Sequence, residues 1–549
     1  MTAFHDKVCS WMKQVVMLLV LSVGIAGADD SVLLGPGQGR VAVSADLGRL
    51  VVQATPQEVP PSGGVADVGE LRLSLRDAVV LALKNNLDIA IANYNPKITA
   101  EGIIIAKAVF DPVASLTADA NRTVTPTASA LAAGAADTLT TKNVDLNASL
   151  TQALPFGASY TLGLTNNRLD TSSGFAQPTL GGINPSYKTV LTLSLTQNLL
   201  KNFGVDVNTA PIKIARTNQA ISVTQFRQQA NQVITSVHTA YWNLVFAIEN
   251  LEVQKRSLRL AKDLEALNRA RVRAGVAAPV EVTQAEAQAA AQVQNVILAE
   301  KAVKDAEDQL KLIINIPDGE RIWARSIVPA DKPPFEVAAV SDEAAIQEAL
   351  EERPDYAAAK LNLQNTDLNL RVARNQLLPS LQFQGSLGLN GLNELDKGFG
   401  NSYSGATGLT SGDFTSWSAA LVLSYPLGNR SARSALIQAK LTDDQSRTSL
   451  LNLKRQIISQ VREAVRRVEA NVQLVESTRL ARVLAEEQLR VEQKRLEAGV
   501  TTTFNVLQFQ RDLASAQAFE VQAITTYNQN LANLELVKGT VLEKNRLEL

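Results

Sequence analysis

The sequence predicts an α+β fold built twice from the same elements: a helix, alternating strands and a pair of very long helices. Three observations support this prediction. The segments RVRAGVAAPVEVTQ (271–284) and KRLEAGVTTTFNVLQ (494–508) share residue identities at a constant offset of 224 residues. Apolar and polar residues alternate in two regions, 113–197 and 380–426. Apolar residues also follow a heptad pattern in two long stretches, which is typical of coiled-coil helices.

The composition excludes one class of partner and favours an elongated helical protein. The 53 Lys and Arg residues balance 54 Asp and Glu residues, so the chain lacks the basic excess that nucleic-acid binding requires. Aromatic residues make up only 5% of the chain. This composition is typical of long helices packed through small and aliphatic side chains.

Residues 1–28 are predicted to be a signal peptide. Lys7 and Lys13 precede the apolar run VVMLLVLSVGIAGA, and AGA at 26–28 offers a cleavage site. The run is short for a membrane-spanning helix, although an uncleaved anchor is the alternative. The single cysteine, Cys9, lies before this run. We therefore expect a mature chain with no lipid-anchored cysteine, no disulfide and no thiolate metal site.

An internal repeat begins after an irregular leader at 29–70, which is rich in Gly and Pro. LSLRDAVVLALKNNLDIAIA and AVSDEAAIQEALEERPDYAAA match at an offset of 267 residues, and the same offset places Pro112 on Pro379. We predict repeat 1 at 71–316, a linker at 317–340 and repeat 2 at 341–545. Each repeat opens with a helix of about 35 to 40 residues that ends near its proline.

Alternating segments follow each proline and predict β-strands. Repeat 2 has a hairpin at 380–426, with strands LQFQGSLGL and SAALVLSYP. The corresponding region at 113–197 also contains VDLNASLTQAL and ASYTLGLT, separated by the turn Pro-Phe-Gly. Because the offsets differ by 43 residues, this region can hold one additional hairpin, and the chain has four or six strands. Such strands are typical of outer-membrane barrels, and a soluble β-sandwich is the alternative.

The longest helices are predicted at about 208–274 and 431–498, each about 100 Å long at 1.5 Å per residue. Apolar residues step by three and four along both helices, which predicts coiled-coil seams. The first seam is Ile234, Val237, Tyr241, Leu244, Ile248 and Leu251. The second seam is Ile458, Val461, Val465, Val468, Val472 and Val475.

A glycine ends each long helix and starts a turn into a returning helix. Gly275 and Gly499 lack a Cβ and can adopt the left-handed conformation that closes a helix. Pro279 suits the first turn of the next helix, and Thr501 to Thr503 are predicted to supply capping oxygens. Each segment therefore predicts the tip of an antiparallel helical hairpin, at 274–279 and 498–503.

This order of elements, which covers nearly all of residues 71–545, resembles the TolC-like outer-membrane efflux protein family. FGVDVNTAPIKIARTN at 203–218 is also similar to the family's transition from barrel to tunnel. The resemblance implies an α+β membrane protein: a trimeric outer-membrane β-barrel continuous with a long α-helical coiled-coil periplasmic barrel. It implies a homotrimer in outer-membrane lipid whose partners are a periplasmic adaptor protein and an inner-membrane transporter. The system would be a tripartite efflux pump or a type I secretion system.

The resemblance also implies roles for residues at both tips. The adaptor-docking residues would be Ala274, Gly275, Val276, Ala498, Gly499 and Val500. The periplasmic gate candidates would be Glu281, Gln284, Asn505 and Gln508. Family members often have two aspartates where this chain has neutral Asn505 and Gln508, and Thr501 stands where an arginine partner can occur. We therefore expect only weak blockade by multivalent cations.

The sequence predicts neither an enzyme nor a metal or cofactor site. His238 lies within a heptad stretch, where a partly exposed helix histidine is expected, because metal sites need several convergent ligands. The motifs G-x-S-x-G, H-E-x-x-H and the Walker loop are absent from the sequence. The favoured hypothesis is a passive exit duct with unknown cargo. The alternatives are a periplasmic coiled-coil adaptor or scaffold without a barrel, and a soluble filament protein.

Overall fold

The computed structural model describes residues 70–127, 137–176, 182–317, 323, 325–337, 340–393, 399, 402–403 and 407–545. The predicted signal peptide and leader lie outside these residues, apart from Glu70, which begins a strand. The chain divides into two compact units. The sheet unit comprises residues 103–214 and 367–441, and the helical unit comprises the other described residues.

Most strands of the described residues belong to one antiparallel sheet in the sheet unit. In chain order, the strands are β1 (Glu70–Leu73), β2 (Val113–Pro126), β3 (Thr138–Ala153), β4 (Ala158–Thr171), β5 (Ser186–Asn198), β6 (Ser326–Pro329), β7 (Ser380–Asn393) and β8 (Thr415–Ser424). The large sheet has six strands in the order β2-β3-β4-β5-β7-β8. Of the two strand counts that the sequence allowed, six is therefore correct. The additional hairpin is β3 and β4, joined at the predicted Pro-Phe-Gly turn.

The sheet has one apolar and one polar face, because directly opposite residues of antiparallel strands point to the same side. One row across five strands is apolar: Leu150, Leu162, Leu193, Leu387 and Trp417. The adjacent row lies on the opposite side: Ser149, Gly163, Thr192, Gly388 and Ser416. We call these sides the apolar face and the polar face.

The helices occupy the remaining described chain. They are α1 (Leu75–Asn85), α2 (Leu87–Ala92), α3 (Tyr94–Lys107), α4 (Val205–Asn208), α5 (Ala210–Arg273), α6 (Pro279–Ile314), α7 (Asp342–Glu352), α8 (Pro354–Gln376), α9 (Arg430–Glu497), α10 (Thr503–Lys538) and α11 (Val541–Lys544). Single 3₁₀ turns occur at Ala108–Phe110, Gly174–Ala176 and Leu409–Ser411. The long helices α5 and α9, with 64 and 68 residues, lie within one or two residues of their predicted bounds.

The prediction of one continuous opening helix per repeat is wrong. The first is divided into α1, α2 and α3, with breaks at Asn86 and Asn93. At the first break, the side chain of Asn86 accepts hydrogen bonds from the amides of Asp88 and Ile89 and starts a new helix. The second is divided at Arg353, which is extended (ψ 122°) before Pro354. A proline disfavours the helical conformation in the residue before it, so the break follows from the local sequence.

Most residues of both predicted seams are buried within the helical unit, whereas Ile248, Leu251 and Val472 are half-buried. Ile234, Val237 and Leu244 are fully buried on α5, in a cluster with residues of α1 and α6. Residues of α9 form a second cluster with α7 and α10, in which the seam residues Val461, Val465, Val468 and Val475 are buried. Ile457, rather than the predicted Ile458, starts the buried seam of α9.

The region predicted as an inter-repeat linker contains a strand. Within 317–340, β6 pairs in parallel with β1. Asp331, two residues after β6, accepts a hydrogen bond from the amide of Leu75 (2.7 Å), and the Tyr241 hydroxyl lies 3.0 Å from the same carboxylate oxygen. Farther along, the Tyr527 hydroxyl donates to the carbonyl of Glu336 (2.6 Å). These hydrogen bonds therefore hold the connecting segment against α5 and α10.

Candidate functional site

Both long helices end in the same turn. After α5, the amide of Gly275 donates to the carbonyl of Val272 (3.0 Å), and the amide of Val276 donates to that of Arg271 (3.0 Å). This pair of bonds is the Schellman motif, in which a left-handed residue closes the helix. After α9, Gly499 and Val500 make the equivalent bonds, of 3.1 and 3.0 Å.

The two glycines are needed for their backbone conformation and not for space. Gly275 has a φ of 73° and Gly499 a φ of 74°. A Cβ at either position would have no atom within 4 Å apart from the chain neighbours. All six predicted docking residues are exposed, and the tips present large apolar side chains, with Val276 66% and Val500 64% exposed.

The start of the returning helices agrees with the prediction only in part. Pro279 occupies the first turn of α6, as predicted. Thr502 is the N-cap of α10, but its side chain makes no capping hydrogen bond. The predicted capping by threonine side chains is therefore wrong, because the neighbouring hydroxyls bind carboxylates instead. Thr501 donates to Glu492, and Thr503 to Glu281.

Three polar side chains connect the two tips. The hydroxyl of Thr503 on α10 lies 2.7 Å from Oε2 of Glu281 on α6 and 3.2 Å from Oδ1 of Asn268 on α5. Nδ2 of Asn268 donates to the carbonyl of Glu281 (3.3 Å). Thr503 and Asn268 are buried, at 1% and 0% exposure. We call Asn268, Glu281 and Thr503 the tip tether.

The predicted gate candidates therefore differ in their surroundings. Glu281 is half-buried and belongs to the tip tether, whereas Gln284 is exposed. Asn505 and Gln508 are exposed on α10, where Asn505 donates to Thr501 (3.0 Å). Nε2 of Gln508 donates to Oδ1 of Asp512 (3.0 Å). The exposed side of α10 thus carries neutral side chains at Asn505 and Gln508 and an acidic side chain, Asp512, one turn later.

The sequence did not identify Asn268, Thr503 or Asp512 as site residues. Asp512 follows Gln508 by four residues, so helical spacing could have placed it beside the gate candidates. Asn268 and Thr503 are 235 residues apart, and no spacing in the chain indicates that they touch. Their contact depends on how three helices pack.

His238 lies beside a cavity in the helical unit. The cavity has a volume of about 410 Å³, and its walls include Trp242, Tyr527 and Asn545. The histidine is partly exposed, as predicted. Burial lowers its pKa below the usual range, and a hydrogen bond with Asn545 opposes this shift. His238 is therefore neutral near pH 7.

The described residues provide no group of three or more His, Cys, Asp or Glu side chains arranged to hold a metal ion. Among the helices in the described ranges, none combines the length and apolar character required to cross a membrane.

Comparison with known proteins places these features in a wider group. The model of the family described as "Outer membrane efflux protein" matches residues 155–315 and 345–540. The pyoverdine export outer membrane protein OpmQ of Pseudomonas putida is 27% identical over 312 residues, which cover 55% of this chain and 60% of OpmQ. Nodulation protein T of Rhizobium leguminosarum bv. trifolii is 22% identical, covering 56% and 63% of the two chains. The chain thus matches less than two thirds of the length of these relatives.

Solved structures share the fold. A membrane protein from Pseudomonas aeruginosa is similar with a TM-score of 0.61 and 19% identity, covering 89% of this chain and all of that chain. The CmeC outer membrane channel of Campylobacter jejuni has a TM-score of 0.60 and 16% identity, with 88% and 94% coverage. VceC of Vibrio cholerae has a TM-score of 0.59 and 16% identity, with 85% and 96% coverage.

Proposed function

Because the chain belongs to the outer membrane efflux protein family, we propose that three copies of it form a passive exit duct for solutes. The family assignment confirms the predictions that the protein resides in the outer membrane and is not an enzyme. It also argues against the alternatives of a periplasmic scaffold and a soluble filament. In the proposed duct, the energy for transport comes from partners, and this chain provides the conduit.

The two-faced sheet is the observation that carries the proposal. Alternation of apolar and polar faces over strands of ten or more residues is typical of transmembrane barrels, with lipid outside and water inside. Among the described residues, the edge strands β2 and β8 each pair with one other strand only. Unpaired strand edges are not tolerated in lipid, so the sheet requires neighbours. Three six-stranded sheets would close an 18-stranded barrel, which has the even strand number typical of bacterial barrels.

The hairpin tips are the proposed contact with a periplasmic adaptor. Val276 and Val500 are exposed apolar side chains on turns that the Schellman bonds hold in one shape. A helical hairpin of an adaptor could bury both valines at small conformational cost. The tip tether would keep the two tips of one chain together, and the exposed amides of Gln284, Asn505 and Gln508 would line the constriction.

Of the two systems that the resemblance allows, we favour a tripartite efflux pump for small molecules. The relative OpmQ is described as a pyoverdine export protein, and pyoverdine is a small molecule rather than a protein. The second system, type I secretion, would use the same duct with a different inner-membrane transporter. Deleting the gene for this chain in its host, and measuring the export of small molecules and of secreted proteins separately, would distinguish the two systems.

The duct itself is tested by imaging and by conductance. Electron microscopy of the detergent-purified mature protein should reveal a three-fold particle with a hollow helical cylinder about 100 Å long. In planar bilayers, the same preparation should form channels that multivalent cations block only weakly. A monomer, or a trimer without conductance, would contradict the proposal. Strong blockade at micromolar cation would contradict the proposed neutral constriction.

A further inference from the structure

Three basic side chains lie together at one end of the apolar face. Arg122 on β2 is directly opposite Lys142 on β3, which is directly opposite Asp170 on β4. Arg168 lies on the same face, two residues before Asp170. Arg122 and Lys142 are exposed, and Arg168 is half-buried beside Tyr187, whose ring packs edge-on against Phe399. We call Arg122, Lys142 and Arg168 the basic patch.

The patch contains more positive charge than its neighbours neutralise. Lys142 forms an ion pair with Asp170 (3.3 Å). Within the described ranges, no carboxylate lies within ion-pair distance of Arg122 or Arg168; the latter donates from Nε to the Tyr187 hydroxyl (3.4 Å). Like charges directly opposite each other in a sheet are destabilising, which applies to Arg122 and Lys142. An external anion would relieve this repulsion.

The position along the strand indicates which anion is available. On β3, the apolar face carries only apolar side chains from Val144 to Leu150, bounded by Lys142 at one end and Gln152 at the other. The ten residue steps from Lys142 to Gln152 span about 33 Å along the strand. With a barrel tilt of about 40°, this corresponds to a band roughly 25 Å tall, the height of the apolar band of outer-membrane barrels. Lys142 therefore lies at the level of lipid headgroups.

The connections identify the leaflet. At the end near Gln152, β3 and β4 are joined by a short turn at 154–157, and the other strands lead into helical segments. At the end near Lys142, the strands are joined by longer connections, such as 127–137 and 172–185. Outer-membrane barrels have short periplasmic turns and longer extracellular loops. The basic patch thus lies in the outer leaflet.

We propose that the basic patch binds the phosphate groups of an anionic lipid in the outer leaflet of the outer membrane. The proposal rests on the proposed barrel. Arg and Lys are the side chains that recognise phosphate, by charge and by multiple N–H donors. Tyr187, beside Arg168, is an aromatic residue of the kind enriched at membrane interfaces. Free phosphate could satisfy the same charges, but only a lipid would also contact the apolar side chains next to the patch.

Native mass spectrometry of the detergent-purified full-length trimer tests this proposal, with bis-phosphorylated lipid A as the probe and phosphatidylcholine as reference. The wild-type protein should bind lipid A in preference. Each basic residue near an anionic surface contributes roughly fivefold in affinity, so Arg122→Gln with Lys142→Gln should weaken binding about 25-fold. Asp170→Asn should instead strengthen it about fivefold, because it removes the carboxylate that forms an ion pair with Lys142. The control is Lys188→Gln, which removes a charge at the same end but on the polar face.

The outcomes separate this proposal from the proposed function. The charge-preserving pair Arg122→Lys with Lys142→Arg should retain lipid binding. If the glutamine pair binds lipid A like the wild type while the trimer still conducts, the lipid site is overturned and the duct is not. Equal binding of lipid A and phosphatidylcholine by the wild type, or displacement of lipid A by millimolar inorganic phosphate, would also overturn the lipid site. A wild-type protein that forms no conducting trimer would overturn the duct.

Discussion

Replacing Thr503 with valine should loosen both hairpin tips, because it removes the hydroxyl that connects α6 to α10. Valine preserves the branched shape, so the main change is the loss of the contacts with Glu281 at 2.7 Å and Asn268 at 3.2 Å. A hydrogen bond to a charged group contributes about 1.5–3 kcal/mol, and the lower value applies because Glu281 is only half-buried. We therefore expect local opening to become easier by about 1.5 kcal/mol, which is a little over tenfold.

Amide hydrogen exchange of the purified full-length protein measures this effect, since it reports local opening free energies. The amides of Gly275, Val276, Gly499 and Val500 donate to the last turns of the long helices and should exchange about tenfold faster in Thr503→Val.

Two controls isolate the hydroxyl. Thr503→Ser retains it and should exchange at nearly the wild-type rate. Thr525→Val removes an equally buried threonine hydroxyl of α10, but one that bonds only to carbonyls of its own helix, so the tips should not respond. The reasoning is refuted if Thr503→Val leaves tip exchange unchanged, or if the serine variant exchanges as fast as the valine variant.

Three further predictions concern other parts of the molecule. Gly499→Ala should lower the free energy of unfolding by about 1 kcal/mol, solely because alanine disfavours the left-handed backbone conformation. Gly539→Ala should cost more and lower the unfolding temperature further, because its φ is 86° and its Cβ would lie 2.9 Å from a backbone oxygen. Burial lowers the pKa of His238 below 6.5 in the folded protein, so the unfolded chain binds a proton at this imidazole more readily. The unfolding temperature should therefore be highest above pH 6.5. It should fall as the pH drops toward the lower pKa of the folded state. His238→Gln should flatten that slope, and an unchanged slope would contradict the assignment. Leu193→Lys, on the apolar face, should make the free energy of membrane insertion less favourable by about 2–4 kcal/mol, and membrane fractionation should recover less of the inserted protein. Thr192→Lys, on the polar face, should insert like the wild type in the same assay.

The sequence predicted those elements that depend on local periodicity or on one special residue. The long helices, the strands and the glycine turns belong to this class: alternation and heptads indicate which face is buried, and a left-handed position favours glycine. The breaks at Asn86 and Arg353 were also local, since Asn86 is a good N-cap residue and Pro354 follows Arg353. They were missed because the apolar pattern continues across both breaks.

The tip tether could not be predicted in the same way. Thr503 stands at the start of a helix, where a threonine hydroxyl commonly caps the backbone. Its hydroxyl can make that local bond or reach a carboxylate on another helix, and the sequence around Thr503 is compatible with both. Packing of α5, α6 and α10 decides the outcome, because it places Glu281 2.7 Å from Thr503 and leaves Asn268 without access to water. A local rule therefore fails where a buried polar group from a distant segment competes for the same donor.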